Sequence, residues 1–179
     1  MHLPLTSPVL SGERTSLRPP REGDKVDRLA CGRDPEFARM VGDELVALTV
    51  EEVDRWYDWL LARTLGWVIE VDGHAVGDAR LDHFNLQDRR ARYAIGIFDS
   101  ELWGKGIGTE VTRLVLGYAF DELELHRVEE YNRRAIASYG KCGFVREGIE
   151  RESAFINREW HSDVIMGILE AEYRAMSKD

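Results

Sequence analysis

The chain has 179 residues and a mass of 20.5 kDa, the usual size of one domain with a single hydrophobic core. Its composition, with 44% hydrophobic and 32% charged residues, is that of a folded globular protein and argues against a mainly disordered chain. The formal net charge of −9 disfavours nucleic acid as a partner, because a basic face supplies most of the affinity for phosphate backbones, and it mildly favours a cationic partner.

Targeting and cysteine patterns predict a cytoplasmic protein. The sequence has no run of about 18 uncharged apolar residues, so we expect no membrane span and no membrane partner. Residues 1–5 lack the basic and apolar regions of a secretory signal. Cys31 and Cys142 are far apart in sequence, so they form neither a C-x-x-C metal pair nor a disulfide framework. We therefore expect a reducing compartment and no metal.

The first third of the chain is predicted to hold one strand and three helices, within one domain over residues 1–179 that carries an N-terminal extension at 1–12. The third helix is the best marked. Thr49-Val50-Glu51-Glu52 is a capping box, in which the Thr hydroxyl and the Glu carboxylate bond to free backbone N–H groups. The predicted ranges are a strand at Thr15–Arg18 that stops at Pro19-Pro20, and helices around Glu22–Ala30, around Pro35–Val41 and after Thr49.

The rest of the chain predicts strands that pair mainly antiparallel, with two helices between them. Asp72-Gly73 lies between the strand Trp67–Val71 and the strand His74–Leu81, which is a tight hairpin signal. The other predicted elements are strands near Arg92–Phe98, Val145–Phe155 and Val164–Leu169, an amphipathic helix after Gly106, and a helix from an Asn132 N-cap through Lys141 that ends at Gly143. This order predicts an α+β fold with a largely antiparallel sheet.

Residues Trp103–Thr109, with the sequence W-G-K-G-I-G-T, form the most informative segment. Three alternating glycines at the start of a helix let the backbone approach a ligand, and the free N–H groups there bind anions, so we expect a phosphate group. A Walker loop is excluded because no Gly-Lys-Ser/Thr follows four spacer residues. The dinucleotide fingerprint is excluded because Thr109 stands where the third glycine is required and no early βαβ unit is predicted.

This segment resembles the pyrophosphate loop of the GNAT acetyltransferase superfamily, usually written Q/R-x-x-G-x-G/A, with Trp103 at the Q/R position. Residues Asn132–Phe144 resemble the N-x-x-A-I-x-x-Y-x-K-x-G-F motif of the same superfamily. The opening Glu13–Arg18 and the closing Trp160–Asp163 resemble the branch that acetylates the N-termini of ribosomal proteins. The resemblance covers roughly Gly12–Tyr173.

The resemblance implies a GNAT fold, an α+β arrangement in which a mixed, mostly antiparallel sheet contains a splayed strand pair and is flanked by helices. It implies acetyl-coenzyme A as cosubstrate, with its pantetheine arm along the free edge of the strand that ends near Phe98. Tyr139 falls where relatives place a hydroxyl beside the thioester sulfur, so it is the predicted catalytic acid for the departing thiolate. The predicted cofactor-binding residues are Ile97, Phe98, Trp103, Gly104, Lys105, Gly106, Ile107, Gly108, Thr109, Asn132 and Lys141.

The implied reaction is direct attack of a neutral primary amine on acetyl-coenzyme A. The expected acceptor is the N-terminal α-amine of a protein or peptide, which can be cationic. A small-molecule acetyltransferase for a polyamine or aminoglycoside stays open, as does a coenzyme A-binding regulatory protein without turnover, and so does a homodimer. The general base is not identified, since Asp82, His83, Glu101 and His161 all qualify by residue type and a water relay would serve equally.

The segment before Asn132 is shorter than in the superfamily, whose members carry a strand of several alternating residues there. His126–Tyr131 leaves about half that length, and Val128 is its one aliphatic residue. Because the flanking helices and both motifs are intact, we predict that a few residues are missing between Val128 and Tyr131.

Overall fold

The structure is a computed structural model that describes residue 4 and residues 6–32, 47–131, 139–156 and 158–176. Its helices are α1 (Asp24–Cys31), α2 (Val50–Leu61), α3 (Ile107–Gly117) and α4 (Glu170–Met176). Its strands are β1 (Leu10–Ser11), β2 (Ser16–Arg18), β3 (Leu65–Val71), β4 (His74–Asn85), β5 (Arg90–Ile97), β6 (Arg127–Tyr131), β7 (Val145–Ile156) and β8 (Glu159–Leu169). They form one eight-stranded sheet in the order β1-β2-β3-β4-β5-β6-β8-β7.

Helices cover both faces of this sheet because successive side chains of a strand point to opposite faces. Trp67 of β3 is buried in the main core with Val111 of α3. The next residue, Val68, is buried in a smaller core with Leu60 of α2. Helices α2 and α3 therefore lie on opposite faces, and the glycine-rich segment that precedes α3 is on the α3 side.

Three local predictions are confirmed by backbone geometry. Thr49 caps α2 as a complete capping box, since its hydroxyl accepts from the Glu52 N–H at 3.2 Å and the Glu52 carboxylate accepts from the Thr49 N–H at 2.9 Å. Asp72 and Gly73 have φ values of 51° and 83° and turn β3 into β4. Gly143 has a φ of 88°, which ends the helical stretch that includes Tyr139 and Gly140.

The structure adds elements and extends others. Strand β8 begins at Glu159 instead of Val164, because Glu159–Asp163 extend the pairing with β7 beyond the core and include no aliphatic residue that would show the strand pattern. The sequence also missed β1 and α4, whose Tyr173 stacks on Phe120 with ring centroids 5.0 Å apart. The predicted helix Pro35–Val41 and residues 132–138 of the helix expected after Asn132 lie outside the described residues.

Strand β6 occupies the segment in which the sequence predicts missing residues. Its residues pair one after another with β8, from Arg127 opposite Leu169 to Tyr131 opposite Ile165, so the strand runs without interruption. Val128 is fully buried and Glu130 is 2% exposed, which means that alternate residues of β6 face the core through one valine and one carboxylate. Strand β6 has five residues, and the hypothesis that a few residues are missing between Val128 and Tyr131 stays a prediction.

The expected splayed strand pair is present. Strands β5 and β6 are parallel, and they are the one parallel pair among the described strands. Their pairing joins only Arg90–Arg92 to Arg127–Glu129. Beyond that point β5 continues to Ile97 against β4 alone, so its edge from Tyr93 to Ile97 does not pair with β6. This geometry and the mostly antiparallel sheet confirm the predicted fold class.

None of the helices within the described ranges is long and apolar enough to span a membrane.

A buried ion pair joins β2 to the start of α1. The Arg18 guanidinium donates to both oxygens of Asp24 at 2.7 and 2.9 Å and to Glu70 of β3 at 2.5 Å. Asp24 also accepts from the Arg21 backbone N–H at 2.6 Å. Arg18 and Asp24 are 5% and 3% exposed, so each depends on the other to offset the loss of hydration.

We predict that Asp24→Asn lowers the free energy of unfolding by about 3 kcal/mol or more, because it leaves a buried guanidinium short of its main partner. Urea denaturation measures the loss. Asp58→Asn is the matched control, since Asp58 is an exposed aspartate of α2. Equal stability of the two variants would show that the buried pair does not hold this part of the fold.

Candidate active site

The turn that follows β5 is fixed to the end of that strand. The Asp99 carboxylate caps a single 3₁₀ turn, Ser100–Leu102, by accepting from the Glu101 N–H at 2.8 Å. The Trp103 indole N–H then donates to the Ile97 carbonyl at 3.1 Å. Trp103, which the motif placed among the cofactor-binding residues, thus uses its polar atom to hold the glycine loop against β5.

The glycine loop is exposed and has a backbone geometry that an anion site requires. Gly104 and Gly106 have φ values of 71° and 88°, in the left-handed region that favours glycine. Both are exposed, and a Cβ built on either one would meet no atom within 4 Å. Helix α3 begins immediately afterwards at Ile107, so the N–H groups of its first turn and the positive end of its dipole face this space. The geometry fits a phosphate or diphosphate group.

The remaining loop residues, Ile107, Gly108 and Thr109, contact different parts of the fold. Ile107 is fully buried in the main core, so only its backbone can face a ligand. Gly108 accepts a hydrogen bond at its carbonyl from the Thr112 hydroxyl at 2.7 Å. The Thr109 carbonyl accepts from the Cys142 thiol at a sulfur–oxygen distance of 3.6 Å. This contact brings the second motif onto the first turn of α3.

The two candidate lysines and the asparagine give less information. Lys105 and Lys141 are exposed, Lys105 within the loop and Lys141 beside the cysteine that contacts Thr109. Asn132 lies outside the described residues. Phe98 is 3% exposed and turns its ring towards Trp56, with centroids 5.6 Å apart, so it belongs to the α2 face of the sheet.

Tyr139 lies where the parallel strands separate. Its ring is edge-on to Tyr93, with centroids 6.2 Å apart, and Tyr93 is the first residue of β5 beyond the paired stretch. Burial, and then the negative charge of Glu130, raise the pKa of Tyr139 well above its ordinary value. Glu130 is likewise the first residue of β6 beyond the pairing. The phenol is therefore neutral at physiological pH and can act only as a proton donor from that state.

The Tyr139 side chain is 1% exposed, and Phe144 packs on its ring with centroids 5.4 Å apart. The Tyr139 hydroxyl is shielded from solvent and has no hydrogen-bond partner within the described residues. The Glu130 carboxylate is nevertheless near enough to contribute to the raised pKa of Tyr139. A buried hydroxyl in this state has unused capacity to donate to a group that enters the splay.

The opposite face of the sheet carries a buried carboxylate that the sequence analysis missed. Asp78 of β4 is 7% exposed and accepts a hydrogen bond from the Trp56 indole of α2 at 2.9 Å. Burial raises the pKa of Asp78, and the Trp56 hydrogen bond opposes part of that rise. In the sheet register Asp78 lies opposite Gly96, which has no side chain to fill the space beside the unpaired edge of β5.

Four candidate bases were left open, and the structure brings two of them together. Asp82 is 8% exposed, accepts from the Arg80 guanidinium at 3.0 Å, and lies 2.6 Å from Nδ1 of His83. Asp82 is two residues beyond Arg80 and four beyond Asp78 on β4, so all three share the α2 face. Glu101 is exposed in the turn after β5, and His161 is half-buried on β8, the third strand from β4.

The N-terminal segment also reaches the loop, through a residue that the motifs did not single out. The Arg14 guanidinium donates to the Lys105 carbonyl at 2.7 Å. The two residues are 91 positions apart in sequence, which is why no local pattern could connect them. Within the described ranges, no cluster of three or more histidine, cysteine or acidic side chains could hold a metal ion.

Comparison with known proteins identifies the family. The family described as "Acetyltransferase (GNAT) domain" matches residues 14–145, which is most of the chain. The chain belongs to this acetyltransferase family. Enzymes of the family take the acetyl group from acetyl-coenzyme A.

Two curated relatives illustrate the range of substrates in the family. The chain is 34% identical over 116 residues to the spermidine N(1)-acetyltransferase of Escherichia coli K12, covering 63% of this chain and 62% of that protein. It is 33% identical over 106 residues to "Putative ribosomal N-acetyltransferase YdaF" of Bacillus subtilis, covering 57% of each. The matched region thus spans about three fifths of these relatives' lengths.

A solved structure supports the fold and the cofactor. The spermidine N-acetyltransferase from Vibrio cholerae, in complex with CoA and spermine, is similar with a TM-score of 0.74 and 25% identity. The match covers 91% of this chain and 99% of that one.

We predict that Gly106→Val weakens acetyl-coenzyme A binding at least tenfold in calorimetry. A branched side chain at a φ of 88° strains the loop and obstructs the approach of an anion to the N–H groups. Gly73→Val is the matched control, because Gly73 has a φ of 83° and equally open surroundings but lies in the β3–β4 hairpin. If a folded Gly106→Val protein binds acetyl-coenzyme A with wild-type affinity, the diphosphate does not bind at this loop.

Proposed function

We propose that this protein is an N-acetyltransferase that transfers the acetyl group of acetyl-coenzyme A to a primary amine. The observation that carries the proposal is the parallel pair β5–β6, which separates after three paired residues and ends beside an open glycine loop. When bound, acetyl-coenzyme A supplies the reactive acetyl thioester. The chain itself would bind and orient the two substrates and would donate and accept protons.

The phosphate end would be held by the loop. The N–H groups at Gly106–Thr109 and the dipole of α3 attract a diphosphate, and the exposed Lys105 adds a positive charge. The unpaired edge of β5 from Tyr93 to Ile97 offers backbone N–H and C=O groups to the two amides of the pantetheine arm, in the manner of an added strand. These two contacts would direct the thioester to the place where the strands separate.

The proton donor in this proposal is Tyr139. Its neutral hydroxyl lies at the separation of β5 and β6, where the arm would end. Donation of the phenolic proton to the leaving thiolate sulfur would stabilise that group, and water or buffer would return the proton afterwards. The buried surroundings of Tyr139 keep bulk water away from this step.

The acceptor would bind on the α2 face, near the space opposite Gly96. Asp78, held by the Trp56 indole, could pair with an ammonium group, because a neighbouring positive charge favours the ionised carboxylate and opposes the effect of burial on its pKa. An amine must lose its proton before it attacks a thioester. Asp82 and His83, which lie 2.6 Å apart, form the pair of described residues best arranged to accept that proton, since His83 is exposed and can pass it to water.

The charges on this face favour an acceptor with a single ammonium group. Asp78, Arg80 and Asp82 alternate in sign along β4, and the Arg80 guanidinium lies over the Trp59 ring at 4.9 Å. A linear polycation is repelled by such an arginine, whereas one N-terminal α-amine followed by a neutral backbone is not. We therefore favour a protein or peptide N-terminus. A polyamine is the second candidate, because two of the proteins described above are spermidine acetyltransferases.

Product analysis by mass spectrometry tests the proposal. The panel comprises a peptide with a free N-terminus, the same peptide with a blocked N-terminus and an internal lysine, spermidine, and an aminoglycoside. We expect acetyl-coenzyme A-dependent acetylation of the free N-terminus and little of the blocked peptide. Acetylated spermidine as the main product would establish the second candidate. Thiol release with none of these acceptors, despite tight binding of coenzyme A, would instead establish a binding protein without turnover.

We predict that Tyr139→Phe lowers the turnover number about 10²-fold, the usual effect of losing one acid catalyst, while the affinity for acetyl-coenzyme A barely changes. Tyr93→Phe is the control, because it removes a neighbouring buried hydroxyl whose bond, at 3.1 Å, is to Thr112 of α3. Steady-state kinetics on both variants separates the roles. Wild-type turnover in Tyr139→Phe would make Tyr139 a packing residue.

A further inference from the structure

The turn between β1 and β2 is tied to the first turn of α3 through one carboxylate. Glu110 accepts hydrogen bonds at Oε1 from the Arg14 N–H at 2.9 Å, the Thr15 N–H at 3.1 Å and the Thr15 hydroxyl at 3.1 Å. A Cβ on Gly12 would lie 2.1 Å from the same oxygen, so a larger residue at this position would displace the Glu110 carboxylate. The segment is thereby held against the helix end that bears the loop.

The carboxylate that forms this anchor stays ionised at neutral pH. Partial burial alone would raise the pKa of Glu110, but the hydrogen bonds from the backbone of Arg14, Thr15 and Glu13 outweigh it and leave the pKa lowered. The pKa of Glu110 is lower in the folded state than in the unfolded state. The anchor therefore contributes its full stability at pH values above the unfolded pKa, and this stability is lost as the pH falls through the folded pKa.

The anchor places an arginine on the loop. With its backbone fixed by Glu110, Arg14 extends its guanidinium to the Lys105 carbonyl, which lies between the two left-handed glycines Gly104 and Gly106. One N–H group makes that bond at 2.7 Å. A guanidinium has five N–H groups, and Arg14 is exposed, so the others face solvent beside the anion site.

We propose that Arg14 is a positioning residue for the diphosphate of acetyl-coenzyme A, an inference that rests on the proposed function. By fixing the Lys105 carbonyl, it keeps the loop in the conformation in which the N–H groups near Gly106 face outward. Its positive charge also lies beside the loop in a chain whose net charge is −9, and it locally opposes the repulsion of an anionic cofactor.

Binding measurements on the full chain test this proposal. We expect Arg14→Gln to weaken the binding of coenzyme A about tenfold in calorimetry, to weaken dephospho-coenzyme A by the same factor, and to reduce the salt dependence of both. The KM for acetyl-coenzyme A should rise while kcat at saturation is kept. Arg14→Lys, which keeps the charge and one donor, should recover most of the affinity.

Two controls make the outcome decisive. Arg55→Gln removes the same charge from an exposed position on α2, on the opposite face of the sheet, and should bind coenzyme A as the wild type does. Gly106→Val tests the proposed function itself. If Gly106→Val loses the binding of coenzyme A while Arg14→Gln binds it normally, only the role of Arg14 is overturned. A loss confined to coenzyme A, with dephospho-coenzyme A unaffected, would also overturn it, because the contact would then be with the 3′-phosphate. If Arg14→Gln does not fold, the test uses Arg14→Lys alone. Tenfold weaker binding of coenzyme A by Arg14→Lys, with an unaltered salt dependence, would then contradict the proposal.

Discussion

The site depends on how far β5 and β6 stay paired. Parallel strands normally lie about 4.8 Å apart along their whole length and satisfy each other's backbone groups. Here the pairing ends at Arg92 and Glu129, and the next residues on each strand, Tyr93 and Glu130, both lie near Tyr139. The separation therefore creates a free strand edge and places a buried phenol at its base. The glycine loop follows because β5 must end in a turn that leads into α3.

The two faces of the sheet carry groups of different charge. The α3 face carries the loop and Arg14, which are suited to an anion, and Glu110 holds the backbone of Arg14 in place. The α2 face carries the buried Asp78 and its Trp56 partner, suited to a cation. The edge of β5 from Tyr93 to Ile97 does not pair with β6, and in the proposed function an anionic donor and a cationic acceptor would meet there from opposite sides of the sheet.

Local patterns in the sequence were enough to predict most of the elements and the glycine-rich start of α3, but not the contacts between distant segments. The capping box at Thr49 and the hairpin turn at Asp72-Gly73 depend on neighbouring residues, so both could be predicted. The role of Asp78 depends on an indole 22 positions away, and that of Arg14 on a carbonyl 91 positions away. The prediction of missing residues in β6 rests on the lack of aliphatic periodicity, and Glu130 takes a core position that such periodicity reserves for an apolar side chain.

A crystal structure of the full chain with acetyl-coenzyme A tests the central claim most directly. The account predicts the diphosphate on the N–H groups at the start of α3, the pantetheine arm along Tyr93–Ile97 of β5, and the thioester sulfur within hydrogen-bonding distance of the Tyr139 hydroxyl. A cofactor bound with its diphosphate elsewhere, or an arm that leaves the edge of β5 empty, would contradict it.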